Sequence, residues 1–186
     1  MITAAHTIHN GMHHHDSILI RDALPTDFAQ ILTLNEESVQ VLSPLSPERL
    51  AHLHRQAAYH RVLVDRDRVA AFLLAFREAA QYDSPNYRWF NDHFPTFLYI
   101  DRIVVAHADR GHGFGRRLYA DLFAFAARTH AGLVTCEFDI DPPNEPSRRF
   151  HQRYGFKEVG TQWLGANSKQ VSLQAVSLPP TASTEE

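Results

Sequence analysis

The spacing of apolar residues changes several times along the chain, and each change predicts a different element. The segment from Ser17 to Ala23 is predicted to be a short β-strand. Pro25 then opens a segment whose apolar residues recur at helical spacing, at Phe28, Ile31, Leu32 and Leu34. A second helix is predicted after the turn residues Ser46 and Pro47, with Leu50 and Leu53 facing inward.

The middle of the chain predicts strands and one long aromatic insertion. Two apolar runs, Tyr59–Val64 and Arg68–Phe76, flank a short polar turn and predict a hairpin, and a further strand is predicted at Phe97–Val105. Between them, Arg77–Pro95 is predicted to be a loop that carries Tyr82, Tyr87, Trp89, Phe90 and Phe94. So many aromatic residues argue against disorder, and the insertion either packs as a small satellite core or lines a substrate site.

The remainder of the chain alternates helices and strands. A helix is predicted from about Gly113 to His130 and another at Pro146–Tyr154. Strands are predicted at Gly132–Phe138, Phe156–Gly160 and Val171–Val176. The order is therefore β-α-α-β-β-β-α-β-α-β-β, which indicates a domain of mixed α and β structure.

Length and composition limit the number of domains. A chain of 186 residues suits one well-buried domain, which we place at residues 17–178. Residues 1–16 contain five of the 13 histidines and predict a flexible leader, with adventitious metal binding as the alternative. Residues 179–186 predict a disordered tail.

Charge and hydropathy exclude several classes of protein. The formal net charge of −3 argues against a general nucleic-acid surface. No apolar run approaches the roughly 20 residues of a membrane helix, and the polar amino end does not resemble a signal peptide. We therefore expect a cytoplasmic enzyme that has a small-molecule partner and binds neither nucleic acid nor membrane.

The run from Arg110 to Arg116 is the most informative motif, because Gly111, Gly113 and Gly115 lie between a β-branched strand and an amphipathic helix. Glycine lets the backbone approach a ligand closely, and the first amides of a helix attract anions, so the run predicts a pyrophosphate site. A dinucleotide fingerprint does not fit, since its third glycine would fall on Arg116. A Walker A loop would need Gly-Lys-Ser/Thr, which is absent.

Two stretches together resemble the GNAT acetyltransferase superfamily. Arg110-x-x-Gly113-x-Gly115 is similar to the acyl-CoA loop of that family. The stretch Asn144–Phe156 is similar to its later motif, in which an Asn precedes a short helix ending in Gly-Phe. The chain departs from the pattern at His151, where many members carry Tyr.

The resemblance implies a fold and a cosubstrate. The fold is a central mixed, mostly antiparallel sheet with a V-shaped splay between two strands, flanked by helices. The cosubstrate is acetyl-CoA, with no metal, and the reaction is direct transfer to a small-molecule primary amine in a ternary complex. The resemblance assigns acetyl-CoA binding to Ile103, Val104, Val105, Gly111, His112, Gly113, Phe114, Gly115, Arg116 and Asn144. Asn144 has a second interpretation, as a helix cap.

The resemblance also suggests the proton donor and the base. His151 stands seven residues after Asn144, where a Tyr of the family protonates the departing thiolate; the alternative is an exposed histidine without function. Asp101 is the preferred base, because it precedes Val105 by four residues, and a Glu lies there in some relatives. Glu137 is the other carboxylate near the V. Either carboxylate could instead be structural, with ordered water serving as the base.

The sequence is also compatible with other functions. A non-catalytic acyl-CoA sensor would keep the glycine loop and Asn144 without a competent acid and base. A structural domain could use the aromatic insertion to dock a partner. Cys136 could accept an acyl group, although a lone cysteine in an apolar strand favours a core position. The identity of the amine and the formation of a homodimer are not settled by the sequence.

Overall fold

The computed structural model describes residues 18–39, 42–165 and 168–178, so the predicted leader and tail lie outside the described residues. Seven strands form one sheet in the order β1-β2-β3-β4-β5-β7-β6. They are β1 Leu19–Asp22, β2 Tyr59–Asp65, β3 Arg68–Arg77, β4 Leu98–Val105, β5 Leu133–Asp141, β6 Lys157–Leu164 and β7 Lys169–Ser177. Neighbouring strands are antiparallel except β4 and β5, which are parallel. The mixed, mostly antiparallel sheet is as predicted.

Helices cover both faces of the sheet. They are α1 Phe28–Glu36, α2 Pro47–Gln56, α3 Pro85–His93, α4 Phe114–Arg128 and α5 Glu145–Gln152, with short 3₁₀ turns at Pro25–Asp27 and His107–Asp109. Ser46 caps α2, because its hydroxyl accepts a hydrogen bond from the amide of Arg49 at 3.1 Å. The predicted order of elements is confirmed, with α3 added to it.

The splay lies between the two parallel strands. Backbone pairing of β4 with β5 is limited to Leu98 opposite Val134 and Tyr99 opposite Thr135. Beyond these two pairs the strands separate, although β4 continues to Val105 and β5 to Asp141. The predicted V-shaped gap is therefore present, and it opens toward the carboxyl ends of both strands.

A β-bulge occurs in β4 at the start of the gap. Leu74 of β3 lies opposite Arg102, but the next residue of β3, Ala75, lies opposite Ile100. Asp101 is thus the extra residue, and a bulge of this kind redirects side chains that would otherwise alternate regularly. It places the Asp101 carboxylate beside the gap.

The two faces of the sheet carry different helices. Leu98 and Ile100 belong to a core cluster with Leu118 and Leu122 of α4, whereas Tyr99 belongs to a cluster with residues of α3. Successive residues of a strand point to opposite faces, so α4 and α3 cover opposite sides of β4. A ligand that passes through the gap can therefore contact residues on both faces of the sheet.

The aromatic insertion was predicted to be a loop, and the structure places helix α3 within it. Ser84 begins this helix, because its hydroxyl accepts from the amide of Tyr87 at 3.4 Å. Tyr87 and Phe90 are buried against the sheet. A Cβ on Gly160 of β6 would lie 2.8 Å from the Trp89 ring, so α3 lies directly over that strand. The sequence does contain a typical helix start, Ser84 followed by Pro85. Aromatic residues are only modest helix formers, however, and packing against the sheet is what makes this segment helical.

Candidate active site

A cavity of about 640 Å³ occupies the gap between β4 and β5 and extends to both faces of the sheet. Seven of the residues predicted for the site line it: Asp101, Ile103, Val104, Val105, Gly115, Asn144 and His151. Arg110, at the start of the glycine loop, also lines this cavity. His112 and Phe114 border a separate surface pocket of about 430 Å³ next to the β2–β3 hairpin. The loop and the later motif therefore meet at one end of the cavity.

The glycine loop has the backbone that the sequence suggests. Gly111 and Gly113 have φ angles of 86° and 81°, a left-handed conformation that favours glycine. Gly113 precedes α4 and provides no side-chain cap, so the first amides of that helix are left for water or a ligand. An ion pair between Arg68 and Asp109, 2.8 Å between Nη1 and Oδ2, ties the loop to the hairpin.

Gly115 needs a different explanation, because it lies within α4 and has no left-handed φ. A Cβ at this position would make ordinary contacts with the rings and methyls of its own chain, 3.6 Å from Phe150 and 3.7 Å from Val105. Neither conformation nor internal packing therefore requires glycine there. Its place on the cavity wall suggests that the missing side chain leaves room for a ligand.

The position of Asn144 is compatible with both roles proposed from the sequence, helix cap and ligand for acetyl-CoA. Its Oδ1 accepts from the amide of Ser147 at 3.1 Å, so it caps α5. Its own backbone amide donates to the carbonyl of Asp139 at 2.9 Å, which folds the long connection back toward β5. Since the cap uses only the oxygen, the side-chain NH₂ is the group that could reach a ligand in the cavity.

His151 lies in the cavity wall and is only 4% exposed, so the alternative of an exposed histidine is wrong. Its Nδ1 is 2.8 Å from the carbonyl oxygen of Ser147, which can only accept; Nδ1 therefore carries the ring proton. Its Nε2 is 2.8 Å from the Tyr119 hydroxyl and accepts from it. Burial lowers the pKa of His151, so the free protein holds the ring neutral at neutral pH.

Asp101 is paired with its neighbours. Its Oδ2 accepts from Nε of Arg102 at 2.6 Å, and its Oδ1 accepts from the Tyr82 hydroxyl. Arg102 is itself buried and donates to Oδ1 of Asn35 at 2.8 Å. Both oxygens of Asp101 thus already have a donor, which fits the structural role that the sequence left open for this carboxylate.

Glu137 presents a different environment on the opposite side of the gap. Its Oε1 accepts from Nδ2 of Asn86 at 2.9 Å and from the Tyr99 hydroxyl at 3.0 Å. Its Oε2 is buried and has no hydrogen-bond partner within the described part of the chain. Loss of solvation raises the pKa of Glu137 to about 7.

Three hydrogen-bond partners of Asp101, Glu137 and His151 were not predicted from the sequence. Tyr82 and Asn86 come from the aromatic insertion, and Tyr119 comes from the buried face of α4. The helical spacing of Tyr119 with Leu118 and Leu122 indicates only a core position. Contacts between the insertion and the gap join residues far apart in the sequence, so no local sequence pattern predicts them.

The lone cysteine is buried beside the cavity. Burial raises the pKa of the Cys136 thiol well above its usual range, so the reactive thiolate is disfavoured. Among residues 18–39, 42–165 and 168–178, no group of three or more His, Cys, Asp or Glu side chains is arranged to hold a metal ion. None of the helices in these ranges is both long and apolar enough to span a membrane.

Comparison with protein families gives a match to most of the chain. The model of the acetyltransferase (GNAT) family matches residues 27–156. Phosphinothricin N-acetyltransferase from Streptomyces coelicolor is 44% identical over 64 residues, which are 32% of this chain and 33% of that protein. The match therefore spans about a third of the length of this curated relative.

Solved structures share the fold over nearly the whole domain. Ard1 from Thermoplasma volcanium has a TM-score of 0.72 at 17% identity, covering 87% of this chain and 98% of its own. The ribosomal-protein-S18-alanine N-acetyltransferase from Escherichia coli has a TM-score of 0.68 at 13% identity, covering 91% and 99%. The yncA protein from Salmonella typhimurium, solved with acetyl-CoA, has a TM-score of 0.66 at 18% identity, covering 91% and 98%.

Proposed function

Because the chain belongs to the GNAT acetyltransferase family, we propose that it transfers the acetyl group of acetyl-CoA to a small-molecule primary amine. The transfer is direct, within a ternary complex, and needs no acyl-enzyme. The observation that carries the proposal is the gap between β4 and β5, which joins the glycine loop on one face to two carboxylates on the other. A cytoplasmic location and a homodimer remain predictions.

The residues around the gap fit acetyl-CoA. The left-handed glycines and uncapped amides at the start of α4 suit a pyrophosphate, which is anionic and needs close backbone approach. The backbone of Ile103, Val104 and Val105 is not paired with β5 and borders the cavity, so it is available to amide groups of the pantetheine arm. The NH₂ of Asn144 is a further donor for that arm.

His151 is assigned the donation of a proton to the departing sulfur. When bound, acetyl-CoA supplies a thioester whose cleavage places negative charge near the later motif. A negative charge beside the ring raises the pKa of His151 and so opposes the effect of burial. Tyr119 and Ser147 hold the ring in one orientation while this happens.

The acceptor amine is assigned to the face of the sheet that carries α3. There the cavity is lined by Tyr82, Asn86 and Arg49, and Arg49 lies 5.4 Å from the centre of the Tyr82 ring. The Tyr82 ring suits an acceptor with an aromatic or apolar part, whereas Asn86 and Arg49 are polar. The named activities of similar proteins, on phosphinothricin and on an alanine terminus, define further amines worth testing.

The proposal is tested by incubating the protein with acetyl-CoA and tyramine, phosphinothricin, spermidine or an alanine-initiated peptide, and measuring free thiol. We expect amine-dependent thiol release with at least one of them. Tight binding of acetyl-CoA by calorimetry without thiol release for any amine would instead favour a non-catalytic acyl-CoA sensor, and absence of binding would contradict the proposal.

A matched pair of glycine variants tests the loop itself. Gly113→Val and Gly155→Val both place a β-branched residue at a left-handed φ, 81° and 79°, where a Cβ has room. Both should lower the melting temperature by several degrees. Only Gly113→Val should abolish acetyl-CoA binding; equal binding by the two variants would remove the loop from the site.

A further inference from the structure

We infer that Glu137 is the general base that takes the proton of the acceptor amine, and that Asn86 of the aromatic insertion is its positioning residue. The inference rests on the proposed N-acetyltransferase function. It transfers the role of base from Asp101, which the sequence favoured, to the carboxylate on the facing strand.

The two oxygens of Glu137 have unequal surroundings. Oε1 is held by Asn86 at 2.9 Å and by Tyr99 at 3.0 Å, whereas the buried Oε2 has no partner among the described residues. A buried acceptor without a partner costs roughly 1–3 kcal/mol. Such a group is rarely retained for structural reasons alone, and here it borders the cavity. One oxygen is thus fixed and the other is free to receive a proton.

Asp101 lacks these properties. Each of its oxygens already accepts from Tyr82 or Arg102, and the adjacent guanidinium stabilises its negative charge. Neither oxygen of Asp101 is therefore open to receive a proton from an amine. Asp101 instead places negative charge near Glu137, where it makes protonation of Glu137 easier.

The charged and titratable neighbours of Glu137 account for its ionisation. Loss of solvation raises its pKa most, to about 7, and the charge of Asp101 acts in the same direction. Hydrogen bonds from Asn86 and Tyr99 and the charge of Lys169 on β7 act in the opposite direction. The result is a carboxylate that is partly ionised at neutral pH and is a stronger base than an ordinary glutamate.

Asn86 is oriented by a second hydrogen bond. Nε2 of Gln162 on β6 donates to its Oδ1 at 3.1 Å, so the Asn86 NH₂ must face Glu137. Asn86 lies in the first turn of α3 and is 5% exposed, so the position of α3 sets the position of the base. The insertion therefore contributes to the chemistry through one amide.

The proposed step balances as follows. The protonated acceptor first loses one proton to solvent through Oε2 of Glu137. The neutral amine nitrogen then forms the C–N bond to the acetyl carbon while its second proton moves to the same oxygen. The C–S bond breaks, and the sulfur leaves with the bonding pair and takes a proton from water, or from His151 after that ring has gained a second proton from solvent. Glu137 then returns its proton to solvent, and no oxidant or further reactant is needed.

Glu137→Gln tests the base without removing the side chain. With the fastest of the four amines, kcat/KM at pH 7 should fall by a factor on the order of 10² to 10⁴ and recover partly in alkaline buffer, where the amine loses its proton unaided. Asp101→Asn should lose activity without alkaline recovery. Glu158→Gln, an isosteric change on β6 outside the cavity, should leave the pH profile unchanged.

The reverse pattern, with recovery for Asp101→Asn and none for Glu137→Gln, would overturn the inference and return the role to Asp101. A Glu137→Gln variant as active as wild type would overturn it as well. These outcomes require an active wild-type protein, so they are distinct from failure of the proposed function, in which wild type releases no thiol with any amine.

Asn86→Ala tests the positioning role through the pH profile. Removing a donor to the carboxylate should raise the pKa of Glu137 and move the acidic limb of kcat/KM to higher pH. A purely structural role would lower the rate at every pH and leave the midpoint in place. Carboxyl ¹³C NMR supplies a readout without an amine: one glutamate should titrate near pH 7 in wild type and vanish in Glu137→Gln. A normal acidic titration of Glu137 would contradict the inference.

Discussion

At the scale of single residues, the site depends on how each polar group is partnered. His151, Asp101 and Glu137 all border one cavity, but their hydrogen bonds differ. The imidazole is bonded at both nitrogens, the aspartate is bonded at both oxygens, and the glutamate is bonded at one. Residue type and spacing are visible in a sequence, whereas these partners are visible only in the fold.

His151 is tested by paired substitutions. His151→Phe should lower turnover by a factor on the order of 10² to 10⁴ with little change in acetyl-CoA binding. His151→Tyr should retain more activity and extend it to higher pH, because a phenol keeps its proton to about pH 10.

The control for His151 is Tyr119→Phe, which removes the same hydrogen bond but keeps the imidazole. It should keep most of the activity in steady-state assays. Unchanged turnover in His151→Phe would exclude His151 from the mechanism.

At the scale of elements, strands and helices with regular apolar spacing were predicted within a few residues. Helix α4 was placed at 113–130 and spans Phe114–Arg128, because its buried stripe is regular. Helix α3 was not predicted, because its aromatic face is stabilised by packing against the sheet and not by local helix propensity. For the same reason the sequence named Glu137 as a candidate but not Asn86, whose contact with it spans 51 positions of the chain.

A substitution at Gly160 tests whether the position of α3 on β6 matters for stability and turnover. Gly160→Ala should cost about 1–3 kcal/mol, because its Cβ would lie 2.8 Å from the Trp89 ring and displace α3. Turnover should fall while acetyl-CoA affinity stays, since α3 carries Asn86 and the glycine loop lies elsewhere. Adding Trp89→Leu should restore part of the stability, measured by urea unfolding as a double-mutant cycle. Additive losses would show that the contact is unimportant.

At the scale of the whole molecule, the buried carboxylate links function to stability. The pKa of Glu137 is raised to about 7 in the folded chain from an ordinary value of 4.5, so the native state binds its proton more tightly than the unfolded state does. By linkage, this group lowers stability as the pH rises from about 4.5 to 7, and the loss is complete above that range.

Glu137→Gln should therefore stabilise the protein at pH 8, by about 1–3 kcal/mol. The gain should vanish near pH 4, where the carboxyl is protonated in both states. Urea unfolding at the two pH values measures the difference, with Glu158→Gln as control. A gain of the same size at both pH values would contradict the raised pKa.

The two pairs of residues that join β4 to β5 make the sheet two lobes, one of β1–β4 and one of β5–β7. Antiparallel pairing holds each lobe together. Between the lobes, α4 packs on one face of the sheet, and a core cluster that includes Tyr99 and Leu173 packs on the other, together with the Tyr99–Glu137 bond. Contact between the lobes is thus made mainly by side chains. A ligand bound in the gap contacts both lobes. Its binding free energy therefore adds to the free energy needed to separate them and unfold the chain.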